Sequence, residues 1–214
     1  MSIRDTIIEL RNELPSTVKL VAVSKFKPAS DIICAYEAGQ RAFAESRPQE
    51  LYAKAEALPS DIEWHFIGHL QTNKVKMIMP YVSLIQSVDS VHLLDAISNS
   101  AASCGKVIDC LLEVHIAHEE SKQGFSAEEL RNVLSRIDNW PGVRIRGLMG
   151  MASFSDDGAL VSGEFRFLKS LFDDFSEVIP GFDILSMGMS GDWQLAVAEG
   201  SNMVRIGSAI FGER

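Results

Sequence analysis

The chain alternates. Eight short apolar runs, at residues 19–25, 41–45, 63–67, 82–88, 106–116, 143–149, 184–187 and 203–206, are separated by stretches with the three-and-four spacing of amphipathic helices. Strict strand–helix alternation implies a parallel sheet with right-handed crossovers. Eight such units can close into a (β/α)8 barrel. The rival is an open doubly wound sheet, which often carries a phosphate loop after its first strand. Here that strand ends in Ser24-Lys25-Phe26-Lys27-Pro28, with neither a G-x-G-x-x-G nor a Walker sequence. An extra amino-terminal helix at residues 2–14 carries Ile3, Ile7, Leu10 and Leu14 on one stripe. It is expected to cover the seam between the eighth strand and the first.

Local signals punctuate this pattern. Pro28 and Pro48 stand at helix starts, and Ser90 can cap the helix that follows it. Ser126-Ala-Glu-Glu129 has capping-box spacing. A helix beginning at Pro28 should turn Ile32, Ile33 and Tyr36 inward, and Asp192 is placed to cap the short helix at residues 192–199. No composition break or low-complexity linker divides the chain, so residues 1–214 are expected to form a single domain.

Net charge is −9, without a long basic run, which argues against nucleic acid and acidic membrane surfaces as partners. Any anionic ligand needs a local cluster of donors. Cys34, Cys104 and Cys110 are widely spaced and odd in number, the pattern of a reducing compartment. No signal peptide or bilayer-length apolar stretch is evident, so a cytoplasmic location is expected.

Lys25 closes the first apolar run. It should therefore stand at the carboxyl edge of the strands, where barrels and open sheets alike gather ligands. Desolvation there lowers an ammonium's pKa toward the range in which the amine attacks a carbonyl. Read alone, Lys25 is better taken as a solvated charge at a strand end; the downstream sequence changes that reading. Barrels often hold phosphate between the loops after strands seven and eight. Ser190 follows the seventh run, and Gly207 and Ser208 follow the eighth, offering hydroxyls and the amides of Gly207 and Ser208. Arg205, on the eighth strand, lies beside the first once the barrel closes. A lysine, a phosphate cup and an arginine against a ring nitrogen form a recognised arrangement for pyridoxal phosphate. Arginine is an obligate donor, so the ring nitrogen it meets stays unprotonated and is a weak electron sink.

His65 and His69 have the spacing of some zinc pairs but fall across a strand end with no third ligand evident, so no metal is expected. His115, His118, Lys74, Lys76 and Lys122 read as solvent-facing. Met149 and Met151 can pack on a cofactor ring or in the core.

Several stretches then carry a resemblance. They are Val21-Ala-Val-Ser-Lys25, Trp64-His-Phe-Ile-Gly68, Leu70-Gln-Thr-Asn-Lys74, Glu120-Ser-Lys-Gln-Gly124, Arg146-Gly-Leu-Met149, Leu185-Ser-Met-Gly-Met-Ser190 and Val204-Arg-Ile-Gly-Ser-Ala-Ile-Phe-Gly212. In this order they resemble the pyridoxal phosphate homeostasis protein family, small barrels similar to the amino-terminal domain of alanine racemase. The resemblance implies a pyridoxal 5′-phosphate aldimine on Lys25, phosphate held by Ser190, Gly207 and Ser208, and Arg205 facing the pyridine nitrogen. It also implies a protein that stores, buffers or delivers the cofactor; a monomer is expected, with apo enzymes as recipients. Two departures stand out. Phe43-Ala-Glu-Ser46 replaces the family's Phe-Gly-Glu-Asn, and Gly191-Asp192 keeps one acid of an acidic pair.

An amino-acid racemase is the alternative. Alanine racemases take a second acid/base tyrosine from a carboxyl-terminal domain, whereas this sequence ends at Arg214, just past the eighth strand. Tyr36, Tyr52 and Tyr81 fall in or beside helices, so a non-enzymatic role is expected. A third reading is a barrel that binds another phosphorylated aldehyde or sugar through the same lysine.

Overall fold

The structure, a computed structural model, describes residues 2–117 and 123–213. The first half runs α1 (Ile3–Glu13), β1 (Lys19–Val23), α2 (Ala29–Glu37), β2 (Ala42–Glu45), α3 (Pro48–Ala57), β3 (Glu63–Phe66), α4 (Val75–Ile78) and β4 (Val82–Val88). The second runs α5 (Val91–Ser103), β5 (Ile108–Val114), α6 (Ala127–Leu134), β6 (Val143–Gly150), α7 (Gly158–Ser176), β7 (Ile184–Ser186), α8 (Trp193–Ala198), β8 (Met203–Ile206) and α9 (Ser208–Phe211). The strands pair in chain order and β8 returns to β1, so the sheet is a closed parallel barrel. At the seam Leu20 meets Val204, Val21 meets Arg205 and Ala22 meets Ile206.

Side chains of a strand point alternately to its two faces, and here both faces are buried. Val21, Ala42, Ala44, Leu84, Leu111, Met149 and Met203 fill the barrel. Leu20, Ala22, Phe43, Ile85 and Leu112 point outward into a second layer, packed under Ile7, Leu94, Leu130 and Phe165 of the helices. Ser2 caps α1 and Asp5 returns the bond. That helix packs on α2 and α9, the helices that follow the first and last strands, and so covers the seam as expected.

The sequence reading differs from the structure at several edges. β1 ends at Val23, so Ser24 and Lys25 lie in the following turn. The helix expected at residues 71–79 is a 3-10 turn, Thr72–Lys74, running into α4. In α2 the buried pair is Ile32 and Ala35, while Ile33 and Tyr36 are half-buried, because the 3.6-residue repeat turns Ile33 away from Ile32. α9 adds a single turn after β8, too short to show a helical repeat in the sequence. His118, Lys122 and most of the stretch from Glu120 to Gly124 lie outside the described residues. Among the described residues no helix is long and apolar enough to cross a membrane.

Candidate functional site

β1 delivers its last residues into a tight turn. Ser24 N–H donates to Ala44 O at 3.0 Å, and Lys27 N–H donates back to Ser24 O at 3.0 Å. Phe26, the third residue of this turn, has φ 65°. A positive φ there is the mark of a type II turn, a place glycine usually takes. For phenylalanine the left-handed region costs about 1–2 kcal/mol. The turn leaves Lys25 half-buried at the carboxyl mouth of the barrel, on the inward-facing side with Val21 and Val23.

Lys25, Ser190, Arg205, Gly207 and Ser208 all line one cavity of about 550 Å³ at this mouth. Sites for small ligands commonly fall between about 300 and 1,000 Å³. Residues far apart in sequence thus meet because β8 lies against β1.

One end of the cavity is a cluster of donors. Gly207 N–H and Ala209 N–H donate to Ser190 Oγ at 3.2 and 3.4 Å. The sequence pointed to the amides of Gly207 and Ser208. In the structure those of Gly207 and Ala209 converge, since the chain already coils into α9 at Ser208. A Cβ on Gly207 would stand 3.3 Å from Val23 Cβ and Val23 O, so this glycine also lets the end of β8 lie close to β1. Asp192 Oδ1 accepts Met189 N–H at 2.5 Å and braces the turn carrying Ser190. It stands at the cap position of α8 but makes no forward bond to that helix, in contrast to the expected role.

The two lysines of the turn are sharply different. Lys27 Nζ donates to the carbonyls of Phe211, Gly212 and Glu213 at 2.9, 3.0 and 3.1 Å. Its charge is spent on the last turn of α9, whose carboxyl end favours a cation. Lys25 is the lysine that the turn aims into the barrel mouth.

Arg205 forms part of the floor and is 4% exposed. Its Nη1 donates to Ser186 Oγ at 2.6 Å and its Nη2 to Gly150 O at 3.0 Å. Ser186 Oγ in turn donates to Gln86 Oε1 at 2.7 Å. Gln86 Nε2 lies 2.8 Å from His65 Nδ1, which accepts if that imidazole is neutral. Burial pushes His65 down to about 3, so it is neutral at ordinary pH. Burial also lowers the Arg205 guanidinium to about 10, against the opposing charges of Glu113 and Asp192, and leaves it a cation. Glu113, on the neighbouring interior face, is pushed up to about 7 by burial, with Asp89 adding to the rise and Arg205 opposing it. Among the described residues its Oε2 is buried without a hydrogen-bond donor.

Met149, buried, and Met151, exposed, also line the cavity, on either side of the Gly150 carbonyl that Arg205 holds. Beyond them Phe154 lines the lip fully exposed. Its neighbour Ser153 is anchored by N–H and Oγ donation to Glu164 at 2.7 and 2.6 Å. Ser46, at the position of the family's asparagine, is half-buried and lies outside the cavity lining. His69 is exposed and pairs with Asp89 at 3.1 Å. Among the described residues no group of three His, Cys, Asp or Glu side chains is arranged to hold a metal.

Sequence reasoning missed Ser186 and Gln86, which orient Arg205. Their signal was a polar residue inside an otherwise buried strand.

A closed (β/α)8 barrel with a lysine, a buried arginine and a cup of backbone donors at its carboxyl mouth defines a class of small-ligand barrel. The profile described as "Alanine racemase, N-terminal domain" matches residues 2–214. The chain is 39% identical to the pyridoxal phosphate homeostasis protein of Haemophilus influenzae, over 98% of this chain and 91% of that one. It superposes on PipY of Synechococcus elongatus, solved with PLP bound, at a TM-score of 0.91 and 36% identity, covering 99% of this chain and 100% of PipY. PipY without PLP gives a TM-score of 0.93 at 37% identity, with the same coverage. The chain belongs to the pyridoxal phosphate homeostasis protein family, within the alanine racemase N-terminal domain group.

Proposed function

We propose that the protein binds pyridoxal 5′-phosphate covalently through Lys25 and holds it for storage, buffering or delivery within the cell. The observation that carries this reading is the single cavity joining Lys25, buried Arg205 and the donors around Ser190. The PLP-bound state of PipY supports the choice of ligand.

The residues fit the group. The amides of Gly207 and Ala209 and the Ser190 hydroxyl lie in one cluster at the cavity's edge, a donor set of the kind an anionic tail can recruit. When bound, the cofactor supplies an aldehyde carbon, which a lysine amine attacks with loss of water, and a phosphate tail. Lys25 provides the amine. Ser190 and Ser208 provide hydroxyls and Gly207 a backbone donor for the tail. Arg205, held charged by its partners, donates toward the ring nitrogen and disfavours protonation there. Met149 and Met151 keep their part of the lining apolar and limit water.

The carrier reading is favoured over a racemase by the tyrosines. Tyr36 OH donates to Asp61 at 2.7 Å, Tyr81 OH donates to Glu56, and Tyr52 packs edge-on against Tyr81. None of the three lines the cavity, so none opposes Lys25 as a second acid/base. The reading extends to a single-domain cytoplasmic monomer whose recipients are apo forms of enzymes that use this cofactor.

The test is spectroscopic. Adding pyridoxal phosphate should produce a visible band that is absent from Lys25→Ala, and borohydride should fix the label on the peptide holding Lys25. A protein that stays colourless, or a label on Lys27, overturns the proposal. Incubation with single-enantiomer amino acids separates the alternatives, since turnover like that of a dedicated racemase would overturn the carrier role.

A further inference from the structure

The turn that carries Lys25 is gripped from below by a buried ion cluster. Lys54 of α3 sits at its centre, 9% exposed. Lys54 Nζ donates to Ser24 O at 2.8 Å, to Glu45 Oε1 at 2.8 Å and to Glu50 Oε1 at 2.7 Å. These three acceptors match the three N–H bonds of an ammonium. Each carboxylate then reaches the turn itself. Glu45 Oε1 accepts Ser24 Oγ–H at 2.6 Å, and Glu50 Oε1 accepts Phe26 N–H at 2.7 Å. The residues immediately before and after Lys25 are therefore both tied to one cation.

That arrangement explains how Phe26 keeps a positive φ. A strained backbone persists only where its surroundings over-determine it. Here the Phe26 amide is fixed by Glu50, and the Arg47 guanidinium lies 4.6 Å above the Phe26 ring. Removing Lys54 would leave buried Glu45 and half-buried Glu50 with no cation between them, and the turn would lose the contact to Ser24 O. Breaking one partner of such a cluster disturbs more than the bond removed. None of Lys54, Glu45 or Glu50 lines the cavity, so their effect on ligand chemistry must pass through Lys25.

We propose that Lys54 is a positioning residue for Lys25: through Ser24, Glu45 and Glu50 it fixes the turn so that the Lys25 amine meets an incoming aldehyde at bonding distance and angle. The inference rests on the function proposed above. In the step concerned the amine nitrogen bonds to the aldehyde carbon, the C=O bond is replaced by C=N, and the oxygen leaves as water. No oxidant or reductant is needed. The clamp contributes orientation alone, and a misplacement of about 1 Å can slow a step by about 10²-fold.

The experiment separates attachment from binding. The rate at which the Lys25-dependent visible band appears is followed by stopped flow with pyridoxal phosphate. Affinity for pyridoxine 5′-phosphate, which has the phosphate but no aldehyde, is measured by calorimetry. Lys54→Met should slow band formation by about tenfold or more, while affinity for the alcohol analogue changes less than about threefold. Lys54→Arg should recover part of the rate. Glu50→Gln, which keeps a side-chain acceptor for Phe26 N–H, is the milder variant and should slow the step by a smaller factor if Lys54→Met does not fold. Wild-type rates in the folded variants overturn the inference, as does a parallel loss of analogue affinity. A wild-type protein with no Lys25-dependent band overturns the proposed function and this inference together. A normal wild-type band with unaltered variant kinetics overturns this inference alone.

Discussion

Arg205 Nη1 and Ser186 Oγ stand 2.6 Å apart inside the barrel, and the serine proton is directed onward to Gln86. The guanidinium is thus oriented from beneath by a chain of neutral side chains. Gln86→Leu removes the acceptor for Ser186 and the partner of His65 while keeping similar bulk. Leaving such groups unpaired costs about 1–3 kcal/mol each. A urea midpoint below that of wild type is expected, together with weaker retention of pyridoxal phosphate on dialysis. Equal midpoints and equal retention would show that the chain does not support Arg205.

Arg205→Ala should weaken cofactor retention or shift the visible band, while far-ultraviolet circular dichroism keeps the barrel signature. Charged hydrogen bonds are worth about 1.5–3 kcal/mol, so a loss of roughly tenfold or more in affinity is expected. An unchanged spectrum and unchanged affinity would show that Arg205 does not touch the ring.

Ser190→Ala tests the anion cup. It deletes the oxygen on which Gly207 N–H and Ala209 N–H converge. Affinity for pyridoxal phosphate should drop by about tenfold, near 1.4 kcal/mol. Affinity for pyridoxal, which has no phosphate, should stay level. Equal losses for the two ligands would place the phosphate elsewhere.

Gly147→Ala probes barrel closure. Gly147 has φ 148°, and a Cβ there would stand 1.8 Å from Ile184 O on the paired strand. Backbone cannot yield as a side-chain tip can, so a loss of more than about 4 kcal/mol is expected. The variant should be insoluble or should melt far below wild type. A stability within about 1 kcal/mol of wild type would mean that β6 and β7 are not paired in this register.

Two buried groups give stability opposite slopes with pH. His65 titrates near 3 when folded, below its ordinary value, so the unfolded chain takes up the proton first. Its contribution is complete above about pH 6.5 and fades as pH falls toward 3, by up to about 1.4 kcal/mol per pH unit. Glu113 titrates near 7 when folded, above its ordinary value, so its contribution is complete below about pH 4.3 and fades as pH rises through 7. Glu113→Gln should therefore be more stable than wild type at pH 8 and gain little at pH 4.5. Urea titrations at both values check this, and equal differences at the two would refute it.

The barrel was legible because strands buried on both faces leave unbroken apolar runs, and because Pro48, Ser90 and Ser126 punctuate the helices. That Lys25, Ser190, Arg205, Gly207 and Ser208 share one cavity was legible from their places at, or just past, the carboxyl ends of the first, seventh and eighth runs. Lys54, Glu45 and Glu50 were not. On α3 a lysine four residues after a glutamate reads as an exposed ion pair, and its burial depends on where β2 and the β1 turn come to lie. The donor role of Ala209 was hidden for a related reason. It follows from the single turn of α9, too short to leave a periodic pattern.

The tie between Lys27 and the carbonyls of Phe211, Gly212 and Glu213 joins the loop after β1 to the end of the last helical turn. During synthesis this loop therefore emerges early, and the carbonyls that hold Lys27 leave the ribosome last. A chain halted before β8 would lack Arg205, Gly207 and Ser208 from the cavity lining, so the mouth of the barrel is completed late and all at once.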